Sequence, residues 1–386
     1  MSSAIFLPKI MRIGAGASAE LPAVLAESGL RRPLLITDPF IAGCGHLEKL
    51  QCCLDEAGID YGVFADCVPD PTTDSVAAAV AQWQRGDYDT VVALGGGSSI
   101  DTAKAAAVLA RHGGQMRDYQ APLPVPAGVP IIAIPTTAGT GSEATRVTVI
   151  TDTDNREKMM CLGVGLMPVA ALVDFELTMA MPYRLSADTG IDSLCHAMEA
   201  YVSRRANHFT DPIALAAMAA IAGNIRTVCA EPDNRPAREA MMLAATQGGM
   251  AFSNASVTLI HGMSRPLGAF FHVPHGMSNA MLMPAVTAYS LAGASRRYAD
   301  CARAMGFAGA ADSDSAAGEK LLAGLYSLNS DLQVPSPAAF GIDSDDYFSM
   351  IATMAEQALA SGSPANNPLV PGQQQIEQLY RTVFDQ

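Results

Sequence analysis

Four side chains in the second half of the sequence have the chemistry of a metal site. Asp192 and His196 are four residues apart, and His261 and His275 follow further along the chain. Residues at i and i+4 lie on the same face of a helix, so the first pair can bind one ion together. A carboxylate and three imidazoles offer enough oxygen and nitrogen donors for one divalent metal, with no thiolate among them. A single histidine is more often a core or surface residue, so the prediction depends on the whole set.

Length, charge and cysteine pattern limit the class of protein. A chain of 386 residues predicts two domains. The net charge of −14 argues against nucleic acid or an anionic membrane as a partner, since both require basic patches. The eight cysteines lack CxxC spacing, and the N-terminal segment lacks the pattern of a secretion signal. We therefore expect a cytoplasmic protein with reduced thiols, and we expect residues 212–223 to form a buried helix rather than a membrane span.

The pattern of apolar residues divides the chain into two halves. Short apolar runs predict strands at residues 33–37, 61–64, 90–94, 131–135 and 171–174. Helical patterns between them lie at residues 17–28, 45–57, 74–83 and 98–111. Strands that alternate with helices indicate a parallel sheet, and hence an α/β, Rossmann-like domain over residues 1–183.

From residue 184 to residue 386 the sequence predicts an all-α domain. Helical periodicity without strand runs covers residues 186–203, 211–229, 234–253, 276–289, 294–305 and 345–360, with a last helix from about residue 372. Residues 309–317 are rich in small side chains, which predicts a loop.

A glycine turn follows the strand at residues 90–94 and leads into a helix. Gly96 and Gly97 allow a ligand to approach the backbone, and Ser98 then begins a helix whose free N–H groups suit a phosphate. A tight strand-to-helix connection would have the same glycines. Asp38, at the end of another strand, can accept hydrogen bonds from a ribose 2′-OH and repels a 2′-phosphate, which favours NAD over NADP.

A second segment suited to a dinucleotide follows the strand at residues 131–135. It carries four threonines that can hold phosphates or a nicotinamide, and Lys158 further along can supply a cationic contact. The threonines are Thr136, Thr137, Thr140 and Thr145. A solvated loop would also explain the hydroxyls, but not their position after a core strand, where ligands of open α/β sheets bind.

Together these segments resemble the iron-containing (group III) alcohol dehydrogenases, and the resemblance covers nearly the whole chain. It rests on the glycine turn, the threonine loop, the Asp192/His196 pair and the His261/His275 pair. It implies the fold shared by dehydroquinate synthase and iron-dependent alcohol dehydrogenase, with NAD(P) bound by the Rossmann-like domain, a metal bound by the helical domain and a reaction in the cleft. It also implies a homodimer or a higher homo-oligomer.

The resemblance assigns residues by motif. The implied metal ligands are Asp192, His196, His261 and His275. The implied dinucleotide contacts are Asp38, Gly96, Gly97, Ser98, Asp101, Thr137, Thr140, Thr145, Lys158 and Leu177. His261 and His275 are then catalytic through the metal, which lowers the pKa of a bound alcohol while the nicotinamide accepts hydride. The expected metal is Fe(II), although the donor set also suits Zn(II), Mn(II) or Ni(II).

One residue departs from the pattern of many family members. Arg265 stands where they have a second histidine four residues after the ligand His261, and Pro266 disfavours helical geometry at Arg265. Its guanidinium can bind an anionic group of the substrate, such as a carboxylate, sulfonate or phosphonate. The competing interpretation is a structural ion pair.

Two further side chains near the histidines have open roles. His272 is a candidate catalytic residue that relays the alcohol proton to solvent, or else a packed or surface imidazole. Phe252 is either an apolar wall of the pocket or part of the core.

The leading hypothesis is a NAD-dependent, metal-dependent alcohol dehydrogenase or aldehyde reductase for small primary alcohols. A dehydroquinate synthase-type lyase, which uses NAD transiently, is the alternative. It requires a phosphate pocket with several basic residues, of which Arg265 alone is present near the ligands. A non-catalytic nucleotide-binding module is a third possibility, against which the intact set of four ligands argues.

Overall fold

The structure is a computed structural model and describes residues 2–155 and 157–385. The chain divides into two compact units, Ser2–Ala180 and Met181–Gln386. The boundary predicted after residue 183, and the assignment of dinucleotide and metal binding to the two domains, stay predictions.

The first unit is built from strands that alternate with helices. Its strands are β1 (Ile10–Ile13), β2 (Pro33–Ile36), β3 (Gly62–Phe64), β4 (Thr90–Gly95), β5 (Ile131–Pro135), β6 (Val147–Asp152), β7 (Glu157–Leu162) and β8 (Ala170–Val173). Its α-helices are α1 (Leu21–Ser28), α2 (Pro39–Gly43), α3 (His46–Glu56), α4 (Thr73–Trp83) and α5 (Gly97–His112). Short 3-10 helices cover Ala17–Glu20, Met116–Tyr119, Ser142–Ala144, Val164–Leu166 and Phe175–Thr178.

Six of these strands form a parallel sheet in the order β1-β8-β5-β4-β2-β3. Successive residues of a strand point to opposite faces of the sheet, so each strand contributes side chains to two hydrophobic cores. Leu35 and Val92 pack with α1 and α3 on one face, whereas Leu34 and Val91 pack with α4 and α5 on the other. The predicted parallel sheet with helices on both faces is therefore confirmed.

The order of the strands creates a switch point beside β2. Along the chain β2 is followed by β3 on one side, and β4 then pairs with β2 on its other side. Such a reversal opens a crevice at the carboxyl ends of the strands, where open α/β sheets bind their ligands. Asp38 lies just after the end of β2, and the glycine turn lies at the end of β4.

Three strands are absent from the sequence-based assignment. The first, β1, pairs with β8 at the edge of the parallel sheet, and β6 and β7 form a separate antiparallel pair. The burial of β6 alternates between partly and fully buried, the pattern of a strand with one covered face.

The regular secondary structure in the described residues of the second unit consists of helices. Its helices are α6 (Tyr183–Val202), α7 (Thr210–Ala230), α8 (Arg235–Asn254), α9 (Leu259–Phe271), α10 (His275–Ser290), α11 (Ser295–Ala304), α12 (Asp314–Asp331), α13 (Pro337–Phe340), α14 (Ser344–Ala360) and α15 (Gln373–Val383). Two 3-10 helices cover Leu291–Gly293 and Ser363–Asn366. The predicted all-α second half is confirmed.

Pro266 is expected to disfavour helical geometry at Arg265, but it does not end the helix. Both residues lie inside α9. Leu259, Met263 and Leu267 recur at helical spacing and are fully buried, so tertiary packing of this face outweighs the local cost of the proline.

The loop predicted at residues 309–317 is correct only up to the start of α12. That helix begins at Asp314 because Ser313 is its N-cap, with its hydroxyl accepting from the amide of Ala316 at 3.2 Å. Leu321, Leu325 and Leu328 form its buried stripe.

The buried helix expected at residues 212–223 is observed as a helix that is buried only in part. These residues belong to α7, which is long and apolar enough to cross a membrane by length and composition alone. One third of its most apolar window is buried, and it packs against α6 and α8. The exposed positions of α7 carry small side chains, mainly alanine.

Candidate metal centre

Three helices of the second unit bring the four predicted ligands to one point. Asp192 and His196 lie on α6, His261 lies near the start of α9, and His275 is the first residue of α10. The Oδ1 atom of Asp192 is 3.3 Å from Nε2 of His261, 3.6 Å from Nε2 of His275 and 3.7 Å from Nε2 of His196. All three imidazoles thus present the same nitrogen to one carboxylate oxygen.

These distances fit a single divalent ion. Ligand atoms at about 2.1 Å from a tetrahedral metal are roughly 3.4 Å apart, close to the separations observed around Asp192 Oδ1. Among the described residues, the group whose ligand atoms all lie within 4.8 Å of one another is Asp192, His261 and His275, and His196 joins it only through its 3.7 Å distance to Asp192 Oδ1. The residues present therefore fit the metal that the donor set predicts.

Burial and neighbouring charges shift the pKa values of His196 and Asp192. Burial lowers the pKa of His196 to about 4, which keeps its ring neutral and its lone pair available. Burial alone would raise the pKa of Asp192, but the imidazoles of His196, His275 and His261 outweigh it and lower that pKa. The pair therefore offers an ionised oxygen beside a neutral nitrogen, which are the forms that bind a metal.

A second carboxylate, from Glu199, orients His261. Its Oε2 atom pairs with Nδ1 of His261, and its Oε1 atom accepts at 2.8 Å from the hydroxyl of Thr258 and the amide of Ile260. Burial lowers the pKa of His261, but the Glu199 and Asp192 carboxylates together raise it. Since Nδ1 faces Glu199, Nε2 is the nitrogen that is turned toward Asp192.

Glu199 was not among the predicted site residues, although the sequence carried a signal for it. It follows Asp192 by seven residues and His196 by three, which places all three on one face of α6. A carboxylate on the buried face of a helix needs a partner, and here that partner is a proposed ligand.

His275 is the accessible member of the cluster. Its side chain is 45% exposed, whereas those of His196 and His261 are almost completely buried. Its Nδ1 atom lies 3.3 Å from the hydroxyl of Ser264, which in turn lies 2.6 Å from the hydroxyl of Ser278. A substrate can thus reach the cluster on the His275 side without disturbing the buried ligands.

The other predicted residues of this region lie at different distances from the cluster. Phe252 stacks on His196 with ring centroids 4.2 Å apart, so an aromatic ring covers one face of a proposed ligand. Arg265 is half-buried one turn after His261, and burial lowers its pKa while Glu199 opposes that effect. His272 is exposed and ends α9 in the left-handed conformation, with φ of 56°. Its role as a proton relay stays a prediction.

In the first unit, Asp38 joins two elements at the carboxyl edge of the sheet. One of its oxygens caps α2 by accepting from the amide of Ile41 at 3.0 Å, and the other accepts from the hydroxyl of Ser99 at 3.1 Å. These two contacts fix the carboxylate while leaving lone pairs for a further donor such as a ribose hydroxyl.

The glycine turn packs directly against the threonine loop. A Cβ atom on Gly97 would lie 2.8 Å from Cγ2 of Thr140, and one on Gly96 would lie 3.2 Å from Cγ2 of Thr137. Ser98 follows in the first turn of α5, where backbone N–H groups have no partner within the helix. A side chain at residue 97 would therefore force Thr140 to move, and one at residue 96 would require a small shift of Thr137, whether or not a ligand binds.

Some of the predicted dinucleotide contacts belong to a buried network. Lys104 donates to the hydroxyls of Ser142 and Thr145 at 2.9 Å, and Asp101 accepts from the Ser142 hydroxyl at 2.9 Å and from the Val149 amide at 2.8 Å. Asp101 and Thr145 thus hold the threonine loop onto α5.

Two other predicted contacts lie outside this network. Lys158, on β7, forms an ion pair with the exposed Asp70 at 3.0 Å. Leu177 is buried and packs in the core beside the sheet. Direct contact of these side chains with a dinucleotide stays a prediction.

Comparison with known proteins agrees with this arrangement. Residues 8–175 match the family model described as iron-containing alcohol dehydrogenase, and residues 186–384 match the C-terminal model of the Fe-containing alcohol dehydrogenase family. The chain belongs to the iron-containing alcohol dehydrogenase family. It is an oxidoreductase, and both the family and the fold predicted from the motifs are confirmed.

Individual relatives of this iron-containing alcohol dehydrogenase cover its whole length. The chain is 36% identical to the NAD-dependent methanol dehydrogenase of Bacillus methanolicus, over 98% of this chain and 99% of that protein. The crystal structure of a 1,3-propanediol oxidoreductase matches with a TM-score of 0.95 and 33% identity over 100% of both chains. A sulfoacetaldehyde reductase from Bifidobacterium kashiwanohense, solved in complex with NAD+, matches with a TM-score of 0.89 and 28% identity over 99% of both chains.

Proposed function

We propose that this enzyme is a NAD-dependent, divalent-metal alcohol dehydrogenase that interconverts small primary alcohols and their aldehydes. The observation that carries the proposal is the convergence of three imidazole Nε2 atoms on Asp192 Oδ1 at 3.3–3.7 Å. The proposed ligands are Asp192, His196, His261 and His275. Membership of the family favours Fe(II), whereas the donor set itself also accepts Zn(II), Mn(II) or Ni(II).

The chain's own residues would hold the metal and keep water away from it. When bound, the metal supplies a Lewis acid that polarises the oxygen of an alcohol or aldehyde. Glu199 keeps His261 in one tautomer, and Phe252 covers the ring of His196 with an apolar surface. His275 and the exposed His272 are the candidates for contact with substrate and for transfer of its proton to solvent.

NAD is the proposed oxidant, bound at the carboxyl edge of the parallel sheet. Asp38 would accept hydrogen bonds from a ribose, and its charge disfavours a 2′-phosphate. Gly96, Gly97 and Ser98 would receive the pyrophosphate at the N-terminus of α5, with Thr137 and Thr140 beside them. The remaining proposed contacts are Asp101, Thr145, Lys158 and Leu177.

Arg265 is the proposed contact for an anionic group at the far end of the substrate. It lies one helical turn from the proposed ligand His261, and burial lowers its pKa because the charged guanidinium is poorly solvated there. A charge in such surroundings gains more from an anionic partner than an exposed one does. One structural neighbour is a sulfoacetaldehyde reductase, whose named substrate is an anionic aldehyde, and this supports the proposal.

The Arg265 proposal is tested with two aldehydes of equal length, one carrying an ω-carboxylate and one neutral. Arg265→Ala should lower kcat/KM for the ω-carboxylate substrate by about 10-fold to 100-fold more than for the neutral substrate, the value of one charged hydrogen-bonded pair. The variant Arg265→Lys should recover part of the loss, since it keeps the charge without the bidentate geometry. An equal loss on both substrates would leave Arg265 with a structural ion pair instead.

The overall function is tested by an anaerobic assay of protein loaded with Fe(II), NAD and a panel of short diols, straight-chain alcohols and ω-acidic alcohols. We expect NADH and aldehyde to accumulate in equal amounts, because the hydride taken from the alcohol stays on the nicotinamide. A dehydroquinate synthase-type lyase regenerates its NAD within each turnover, so product without NADH would contradict the proposal. A chain that binds NAD but turns over no alcohol with any of the four metals would do the same.

We further propose a cytoplasmic location and a homodimer or higher homo-oligomer. The location follows from the acidic composition and the helical packing of α7 against α6 and α8, which suits a soluble enzyme. The oligomer follows from the family alone.

A further inference from the structure

We propose that Asn279 is a positioning residue of the metal site and fixes the Asp192 carboxylate for metal binding; this rests on the proposed function. Asn279 lies on α10 four residues after His275, so the two side chains project from the same face of the helix. It is fully buried.

A single amide nitrogen of Asn279 touches three of the four proposed ligands. Its Nδ2 atom is 2.7 Å from Asp192 Oδ1, 3.2 Å from His261 Nε2 and 3.4 Å from His275 Nε2. A bound metal would take the single lone pair of each of these imidazole nitrogens, so only the hydrogen bond to Asp192 is compatible with metal binding. An ionised carboxylate oxygen accepts hydrogen bonds and cannot donate them, so the atom facing Asp192 is the amide nitrogen. The contact with Asp192 is the shortest of the three and defines the orientation of the amide.

This hydrogen bond decides which oxygen of Asp192 faces the histidines. The carboxylate can turn about its last side-chain torsion, which has broad minima. Donation from Asn279 to Oδ1 holds that oxygen at the point on which the three Nε2 atoms converge. A carboxylate oxygen has lone pairs for two partners, so the same atom can accept from the amide and bind an ion.

The other end of the amide argues against a role in packing alone. The Oδ1 atom of Asn279 is buried, and it has no hydrogen-bond partner among the described residues. An unsatisfied buried carbonyl lowers stability, whereas a leucine of similar volume would fill the same space without that cost. The hydrogen bond from its Nδ2 atom to Asp192 Oδ1 therefore explains why this position is an asparagine.

The test compares Asn279→Ala with Asn367→Ala, since both truncate a buried amide of the same unit. Asn367 is also fully enclosed, donates to the hydroxyl of Ser290 and the carbonyl of Leu369, and has an unpartnered Oδ1 atom, but it touches none of the proposed ligands. The measurement is the Kd for Co(II), from competition with a chelator, together with the visible absorption spectrum of bound Co(II).

We expect Asn279→Ala to raise the Co(II) Kd by about 10-fold to 100-fold, the usual effect of removing a group that orients a ligand. Its Co(II) spectrum should also change, because Asp192 no longer presents one fixed oxygen. Asn367→Ala should keep the native Kd and spectrum even if it lowers the melting temperature.

Three outcomes would overturn the inference. The first is a native Kd and spectrum in Asn279→Ala, and the second is an equal loss in Asn367→Ala; both leave the proposed metal site intact. The third is a native protein that binds no Co(II), which would overturn the proposed function as well. If Asn279→Ala does not fold, Asn279→Ser serves, since its shorter hydroxyl can bond within the helix but cannot reach Asp192.

Discussion

The two candidate sites of this enzyme are made from different parts of the polypeptide. At the edge of the sheet, the candidate dinucleotide site consists mainly of backbone: a glycine turn, the start of α5 and a threonine loop packed against them. In the helical unit, the candidate metal centre consists of side chains from three helices that are distant in sequence. The first is sensitive to added volume, and the second is sensitive to lost donors and lost charge.

This difference also separates the supports of the two sites. Around the sheet edge, Lys104 and Asp101 hold a loop, so their effect on a ligand is indirect. Around the metal centre, Glu199 and Asn279 touch the proposed ligands themselves. We therefore expect single polar substitutions to do more damage in the helical unit, and single glycine substitutions to do more in the α/β unit.

The largest effect is expected for Asp192→Asn, which keeps the shape of the side chain and removes its charge. A bound metal contributes several kcal/mol to catalysis, so we expect kcat/KM to fall about 1,000-fold and the metal content to approach zero. Asp188→Asn is the matched control, because Asp188 lies one turn earlier on α6 and is paired with Arg184 at 2.6 Å. If Asp188→Asn loses the metal equally, the loss comes from damage to α6 and not from a missing ligand.

A smaller effect is expected for Glu199→Gln. The amide keeps the volume but no longer balances a positive charge on His261 or fixes its tautomer, so metal affinity should fall about 10-fold to 100-fold. Glu143→Gln, which alters a buried acid within the threonine loop, should leave metal affinity unchanged. Chelator competition measures both, and equal affinities for Glu199→Gln and the native enzyme would contradict the role of Glu199.

Much of this architecture could be predicted from the sequence, and the failures have physical reasons. Strands β2, β4 and β5 are short, fully buried runs between helices, which a local pattern reveals. By contrast, α9 contains Pro266 and two glycines, and only its packing makes it a helix. The alternation in β6 and the Asn155-containing turn after it were available signals for a hairpin that was not predicted.

The candidate metal centre also contains residues that could be predicted from the sequence and one that could not. The four proposed ligands could be chosen by residue type and spacing, and the structure brings all four together. Asn279 could not be chosen, since nothing in the sequence says that an amide on α10 meets a carboxylate on α6. That contact exists only once the helices have packed.

In the α/β unit, Gly97→Ala should weaken NAD binding and leave the metal content unchanged. The new Cβ would lie 2.8 Å from Thr140 Cγ2 and force the turn and the threonine loop apart, so we expect the NAD Kd to rise about 10-fold. Gly43→Ala is the control, because a Cβ there meets nothing within 4 Å. Adding Thr140→Ser to Gly97→Ala removes the methyl group in the way and should restore part of the affinity; no recovery would contradict the steric explanation.

An effect of similar size, on cofactor preference and not on NAD affinity, is expected for Asp38→Asn. Asparagine can still cap α2, so the fold should be kept while the negative charge near the ribose is lost. The preference for NAD over NADP, measured as a ratio of kcat/KM values, should fall by about 10-fold, which corresponds to about 1.4 kcal/mol. An unchanged ratio would mean that Asp38 serves the helix cap alone.

The central claim is that one divalent ion is held by Asp192, His196, His261 and His275. The most direct measurement is an anomalous difference map from crystals of the enzyme purified without chelators and supplied with Fe(II) under anaerobic conditions. We predict one peak per chain, at about 2.0–2.2 Å from Asp192 Oδ1 and from the Nε2 atoms of the three histidines. A fully loaded crystal with its peak elsewhere, or with no peak among these four side chains, would contradict it.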